Sequence, residues 1–271
     1  FVRLYSATRS WFLDTLSSSN LRVEAPCKPT ELCGVRFRND LINAAGMDKD
    51  GELLKFNYLI GAGGAVVGTV LYRKNEGNRI RAYGEDYNPW APLPHSYSAL
   101  NPLGLPSKGI ANLECNVSEF RYMCDPKEFP IVVNIMEHPL DPENKKERGL
   151  IYCLERALDF ADIIEINVSC PNVDHSESIS DLERKVRLAR STRDNSQSKK
   201  YIPILYKIAK LNPLLIEILT QSGADGISFS NSQTGYKDLR ERINPLDRKI
   251  FDYYTERFKG GVTGEAIKEI V

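Results

Sequence analysis

An excess of charge of either sign is missing from this 271-residue chain, which carries 36 Lys and Arg against 36 Asp and Glu. No global field therefore draws it to nucleic acid or to an anionic membrane. No apolar run approaches the ~18 residues that a membrane-spanning helix needs. Histidine is scarce: only His95, His138 and His175 occur, none at metal-ligand spacing to another. The six cysteines, Cys27, Cys33, Cys115, Cys124, Cys153 and Cys170, include no C-x-x-C pair. Neither a zinc site nor a disulfide framework is indicated, and a reducing compartment is expected. No low-complexity linker divides the chain, so a single main domain is the simpler account. What is present, 42% hydrophobic and 27% charged residues, suits a soluble globular protein long enough for one large α/β barrel or two small domains.

Phe1–Leu21 sets Leu4, Trp11, Phe12 and Leu16 beside Arg3 and Arg9, with no acid before Asp14. The pattern fits an amphipathic helix making peripheral contact with a membrane or the remains of an organellar presequence. It fits a helix capping the bottom of a barrel equally well. Residues 1–29 are read as an N-terminal helical extension and 30–271 as the main domain.

Strand and helix patterns alternate beyond residue 35. Short apolar strands are expected at Leu41–Ala45, Gly64–Val70, Ile131–Ile135, Ile163–Val168, Ile204–Ile208 and Gly226–Ser230. Helices are expected at Lys145–Ala161, Ile179–Arg193 and Pro213–Ser222. Buried strands alternating with helices imply a parallel sheet with right-handed crossovers. Tyr72–Gly109 breaks the rhythm with Pro89, Pro92, Pro94, Pro102 and Pro106, and reads as a long functional loop over one face.

Polar residues fall where these strands end. Ile164–Val173, IEINVSCPNV, places Asn167, Cys170 and Asn172 at the C-terminal mouth of a strand, the end where parallel α/β folds bind ligands. The carboxamides offer donors and acceptors to a flat, amide-rich ligand. Cys170 is either a proton-transfer group or nucleophile, or a small buried hydrophobe. Small residues around Ala45 and Gly46 allow close backbone approach, and Lys49 supplies a cation to an anionic ring or carboxylate. Thr69 and Asn134 end the second and third strands, and Ser230, Asn231 and Ser232 follow the sixth. Lys207 lies inside ILYKI, where an ammonium is expensive to bury unless it is paired or functional. Its alternative is the polar face of a half-exposed strand. Asn101, Asn134, Asn167, Asn172 and Asn231 all sit in loops or at strand ends, where buried amides need partners. Gly260, Gly261 and Gly264 precede an expected helix, Glu265–Val271, and form either a phosphate-admitting turn or a plain one.

Taken in order, AAGMDKDGE (44–52), EGNRIR (76–81), NPLGLPSKG (101–109), NVSCPN (167–172), ADGISFSNS (224–232) and GGVTGEAIK (260–268) resemble the dihydroorotate dehydrogenase family. The resemblance runs from about Thr30 to Val271. It implies a TIM-type (β/α)8 barrel that binds flavin mononucleotide (FMN) over residues 30–271, and oxidation of (S)-dihydroorotate to orotate in pyrimidine biosynthesis. Cys170 matches the base that removes the C5 proton, with Lys207 stabilising charge on the reduced flavin. Asn101, Asn167, Asn172 and Asn231, followed by Ser232, match the substrate contacts, and Lys49 matches a lysine near the substrate carboxylate. Ala45, Gly46, Lys49, Thr69, Asn101, Asn134, Asn167, Lys207, Ser230 and Gly264 match positions around the cofactor.

AAGMDKDGE and the N-terminal segment are similar to membrane-associated, quinone-reducing class 2 enzymes, which use serine as the base. NPLGLP and NVSCPN are similar to soluble class 1 enzymes, which use cysteine. The electron acceptor is therefore a quinone or a soluble molecule, and the location the mitochondrial inner membrane or, alternatively, the cytoplasm. Two further strands follow GGVTG in the family, so the barrel is expected to be incomplete at the C-terminus or completed by a partner chain. An inactive structural relative and a flavin enzyme acting on another pyrimidine are the competing readings.

Overall fold

The computed structural model describes residues 8, 11–16, 18, 23, 28–78, 80–82, 85–87, 89–125, 128–169, 179–198 and 200–270. A hairpin of β1 (Thr30–Leu32) and β2 (Val35–Phe37) comes first. The chain continues through α1 (Leu54–Leu59), β3 (Ala65–Val70), β4 (Ile80–Ala82), β5 (Glu85–Tyr87), β6 (Ala91–Leu93) and β7 (Ser98–Asn101). Then follow α2 (Ile110–Arg121), β8 (Ile131–Ile135), α3 (Glu143–Ala157), β9 (Ile163–Asn167) and α4 (Ile179–Asp194). The last elements are β10 (Ile204–Ile208), α5 (Pro213–Ser222), β11 (Gly226–Phe229), α6 (Tyr236–Arg242), α7 (Arg248–Phe258) and β12 (Gly261–Gly264).

Five strands form a parallel sheet in the order β11-β10-β9-β8-β3. Each successive strand adds beside the last without reversal, as in a singly wound barrel and unlike a doubly wound sheet. The fold is thus α/β of TIM type. Among the described residues the sheet is open, with β3 and β11 at its edges.

Strand alternation divides the buried residues between two faces. Ala65, Val67, Ile131, Val133, Ile164, Ile166, Ile204 and Tyr206 pack outward against Leu113 and Val117 of α2, Leu150 and Leu154 of α3, Val186 of α4 and Leu219 of α5. Their neighbours Val66, Val132, Ile163 and Leu205 join Phe37 in a smaller apolar plug on the inner face. Local chemistry fixes the helix ends. Asn212 caps α5 by accepting from the N–H groups of Leu214 and Leu215, Pro213 opens it, and Gly223 closes it at φ +100°, a sequence of signals that ends both termini cleanly.

Four expectations are corrected. Leu41–Ala45 is not a strand: Leu41 and Ile42 are exposed, and Asn43 substitutes for the ladder. Its carboxamide donates to Val66 O at 2.6 Å and accepts from Val66 N–H at 2.9 Å. The segment still runs beside β3 through a parallel bridge of Asp48 to Val67. Tyr72–Gly109 is no structureless loop, since β6 and β7 pair with each other and β7 pairs with β12. Gly260–Gly264 is not a turn before a helix. Gly261–Gly264 is β12, and only a 3-10 turn, Glu265–Ile267, follows. The glycines let β12 approach β7: a Cβ on Gly264 would stand 2.4 Å from Tyr97 O. The helix expected over Lys145–Ala161 lies instead at Glu143–Ala157.

Candidate active site

The inner face changes character along its strands. Above the apolar plug, the next inward positions are Asn134 on β8, Glu165 and Asn167 on β9, and Lys207 on β10, all buried. Period-two alternation puts them there, because Ile164, Ile166, Tyr206 and Ile208 take the outward positions. Register then brings them side by side: Asn134 pairs with Glu165, and Asn167 with Lys207. Asn134 Nδ2 donates to a Glu165 carboxylate oxygen.

The turns that leave the strands complete the rim. Asn167 Nδ2 donates to Thr69 Oγ1 at 3.3 Å, and Asn167 Oδ1 accepts from Ser169 N–H at 3.2 Å. Ser169 Oγ donates to Lys207 O at 3.0 Å. Asn231, beyond β11, reaches back to Ser169 O at 3.1 Å and Asn167 Oδ1 at 3.4 Å. Ser232 N–H donates to Asn231 Oδ1 at 3.0 Å, and Ser230 is the residue between β11 and Asn231.

On the other flank, Gly46 N–H donates to Gly68 O at 2.7 Å, and Gly68 N–H to Asp48 O at 2.8 Å. The segment holding Ala45, Gly46 and Lys49 therefore runs beside the C-terminal end of β3. Gly68 is required there. It has φ +115°, and a Cβ would stand 2.3 Å from Asn134 O. Asp48 is buried, its carboxylate accepting from Leu53 N–H at 3.0 Å. Burial raises its pKa to about 7, and the nearby carboxylates Glu52 and Asp50 add to the rise against backbone hydrogen bonds from Leu53 and Gly51.

Asn101 and Gly264 belong to the separate β12-β7-β6 sheet. Gln233 ties that sheet to the rim, exchanging backbone hydrogen bonds with Val262 while its side chain donates to Ala209 O and Asn231 O. On the opposite side, Leu71 N–H, just past β3, donates to Ser107 Oγ at 3.2 Å. Cys170 and Asn172 lie outside the described residues.

Electrostatically the rim is open to a flat polar ligand. Among the described residues no carboxylate lies within ion-pairing distance of the Lys207 ammonium. The buried Oδ1 atoms of Asn134 and Asn101 accept no hydrogen bond from any described residue. An unpaired buried acceptor costs about 1–3 kcal/mol, which a donor on a bound molecule would remove. Sequence reasoning missed Glu165, Ser169 as a hub, and Gln233. The signal for Glu165 was available: it is a charge among isoleucines, the same anomaly that singled out Lys207.

The family model for dihydroorotate dehydrogenase matches residues 28–271. A "Dihydroorotate dehydrogenase (quinone)" from Cellvibrio japonicus is 25% identical over 261 residues, covering 92% of this chain and 69% of that protein. One of the same name from Vibrio vulnificus is 28% identical over 195 residues, 69% of this chain and 54% of the relative. Ligand-free DHODH from Eimeria tenella superposes with a TM-score of 0.78 at 20% identity, over 98% of this chain and 76% of that one. The ferulenol complex from the same organism gives 0.73 at 19%, over 95% and 72%.

Proposed function

Because the chain belongs to the dihydroorotate dehydrogenase family, we propose that it oxidises (S)-dihydroorotate to orotate with FMN in pyrimidine biosynthesis. One observation carries the reading: a buried lysine with no carboxylate partner among the described residues stands in a layer of amides at the C-terminal rim of the strands. Such an ammonium suits a ring system that gains negative charge on reduction. Asn134 Oδ1, unpartnered among the described residues, and the open space at Gly46, where a Cβ would meet nothing within 4 Å, also fit an edge-on heterocycle.

FMN, when bound, supplies the acceptor for the hydride from C6. The chain's residues do the rest. Cys170 takes the C5 proton, and the electron pair of that C–H bond forms the C5=C6 double bond as the hydride departs. Asn101, Asn167, Asn172 and Asn231 with Ser232 hold the pyrimidine ring, and Lys49 meets its carboxylate. Ala45, Gly46, Thr69, Asn134, Ser230 and Gly264 would hold the flavin, and Lys207 would set positive charge against it. Residues 30–271 form the flavin-binding unit and 1–29 an extension. The names of the bacterial relatives support a quinone as electron acceptor. The exposed Trp11 and Phe12 on the helical N-terminal segment support peripheral membrane contact. Among the described residues no helix is long and apolar enough to cross a membrane.

Turnover tests the proposal. Flavin-loaded protein should form orotate from dihydroorotate with a quinone, and Cys170→Ala should abolish turnover while leaving the flavin bound. Loaded protein that leaves dihydroorotate unchanged with quinone and soluble acceptors alike would contradict it.

A further inference from the structure

Glu165 is a carboxylate in the middle of an isoleucine strand, and neither the substrate nor the mechanism above uses it. Ile164 and Ile166 turn toward the helices, so Glu165 faces the polar layer, where it is buried. Its carboxylate accepts from Asn134 Nδ2. Glu165 is the acceptor in this contact, and a carboxamide has a donating and an accepting end. Glu165 therefore dictates which end of the Asn134 amide faces away from it: the oxygen. That oxygen is fully buried and has no hydrogen-bond partner among the described residues. With an apolar residue at 165, the amide could turn over and present its NH2 group, converting an acceptor into a donor.

We propose that Glu165 is a positioning residue, locking Asn134 as an acceptor for the single ring N–H of oxidised flavin. The inference rests on the FMN reading above and adds the residue that sets the site's preference for an N–H on the ligand edge. Glu165 acts through Asn134 and touches no reacting atom.

FMN titrations followed by fluorescence quenching test it. Glu165→Met, which keeps the length but offers no strong acceptor, should weaken FMN binding about tenfold, the equivalent of ~1.4 kcal/mol. Glu165→Gln retains a carbonyl and should stay within about threefold of wild type. FMN methylated at the ring nitrogen should bind wild type weakly, and Glu165→Met should weaken that binding no further. If Glu165→Met does not fold, an exchange decides. Asn134→Asp alone should lose FMN affinity, and adding Glu165→Gln should restore most of it, because the glutamine then donates and the aspartate keeps a free acceptor. FMN affinity unchanged in Glu165→Met, or no recovery in the exchange, overturns the proposal. Wild-type protein that binds no FMN overturns the functional reading itself, a separate and recognisable result.

Discussion

Asn167 at the end of β9 donates to Thr69 at the end of β3, although β8 lies between their strands. Neighbouring strands stand about 4.8 Å apart, so strands two apart in a flat sheet are separated by roughly 9–10 Å. A 3.3 Å contact between inward side chains requires the sheet to curl toward that face. Asn231 makes the same kind of skip over β10 to reach Asn167 and Ser169. The amides thus record the curvature of a barrel wall and staple its rim. Asn167→Ala, which removes contacts to Thr69, Ser169 and Asn231 together, should lower stability by about 1–3 kcal/mol, read as a lower urea midpoint with an unchanged slope. An unaltered midpoint would show that the rim carries no such coupling.

Lys207 separates a functional from a structural charge by sign. A buried ammonium without an ion-pair partner destabilises the ligand-free fold, and an apolar isostere relieves that cost. Lys207→Met should therefore raise the apo unfolding temperature, by the equivalent of about 1 kcal/mol, while weakening FMN binding at least about tenfold. A destabilised apo protein with unchanged flavin affinity would mark Lys207 as structural.

Asp48 predicts a pH dependence. Its carboxyl is raised to about 7 by burial, against about 3.9 in an unfolded chain. Between those values the folded state holds a proton that the unfolded state releases, so stability falls as pH rises from about 4 to about 7. The slope is at most about 1.4 kcal/mol per pH unit, and it flattens above pH 7, where both states are ionised. Chemical unfolding across this range should show the decline, and Asp48→Asn should remove Asp48's part of it while keeping an acceptor for Leu53 N–H.

Gly68 is the tightest backbone position at the rim. Gly68→Ala would force a Cβ to 2.3 Å from Asn134 O at φ +115°, so β3 must separate from β8 or change conformation. A loss of several kcal/mol is expected, seen as insoluble protein or a large drop in unfolding temperature. Wild-type stability in this variant would mean that the β3–β8 rim is looser than described.

The strands that were legible in the sequence are those whose apolar runs are buried on both faces: Ile131–Ile135 and Ile204–Ile208 fall where expected. Period two then exposed Lys207, because an ammonium cannot hide in such a run without a reason. Leu41–Ala45 misled for the opposite reason. Its apolar composition matched a strand, but its hydrogen bonds to β3 come from the Asn43 side chain, which no periodicity reveals. The β7–β12 pairing joins residues more than 150 positions apart, and its glycines look the same as a phosphate turn until the partner strand is known. Glu165 was legible and overlooked, since its neighbours were read as an apolar run.

The most direct measurement is an equilibrium titration of the wild-type chain with FMN, following quenching of flavin fluorescence. Saturable one-to-one binding, weakened by Lys207→Met, is the expected result. Fluorescence that rises in proportion to added FMN, with no saturation at any protein concentration, would contradict the assignment of this amide-and-lysine rim to a flavin.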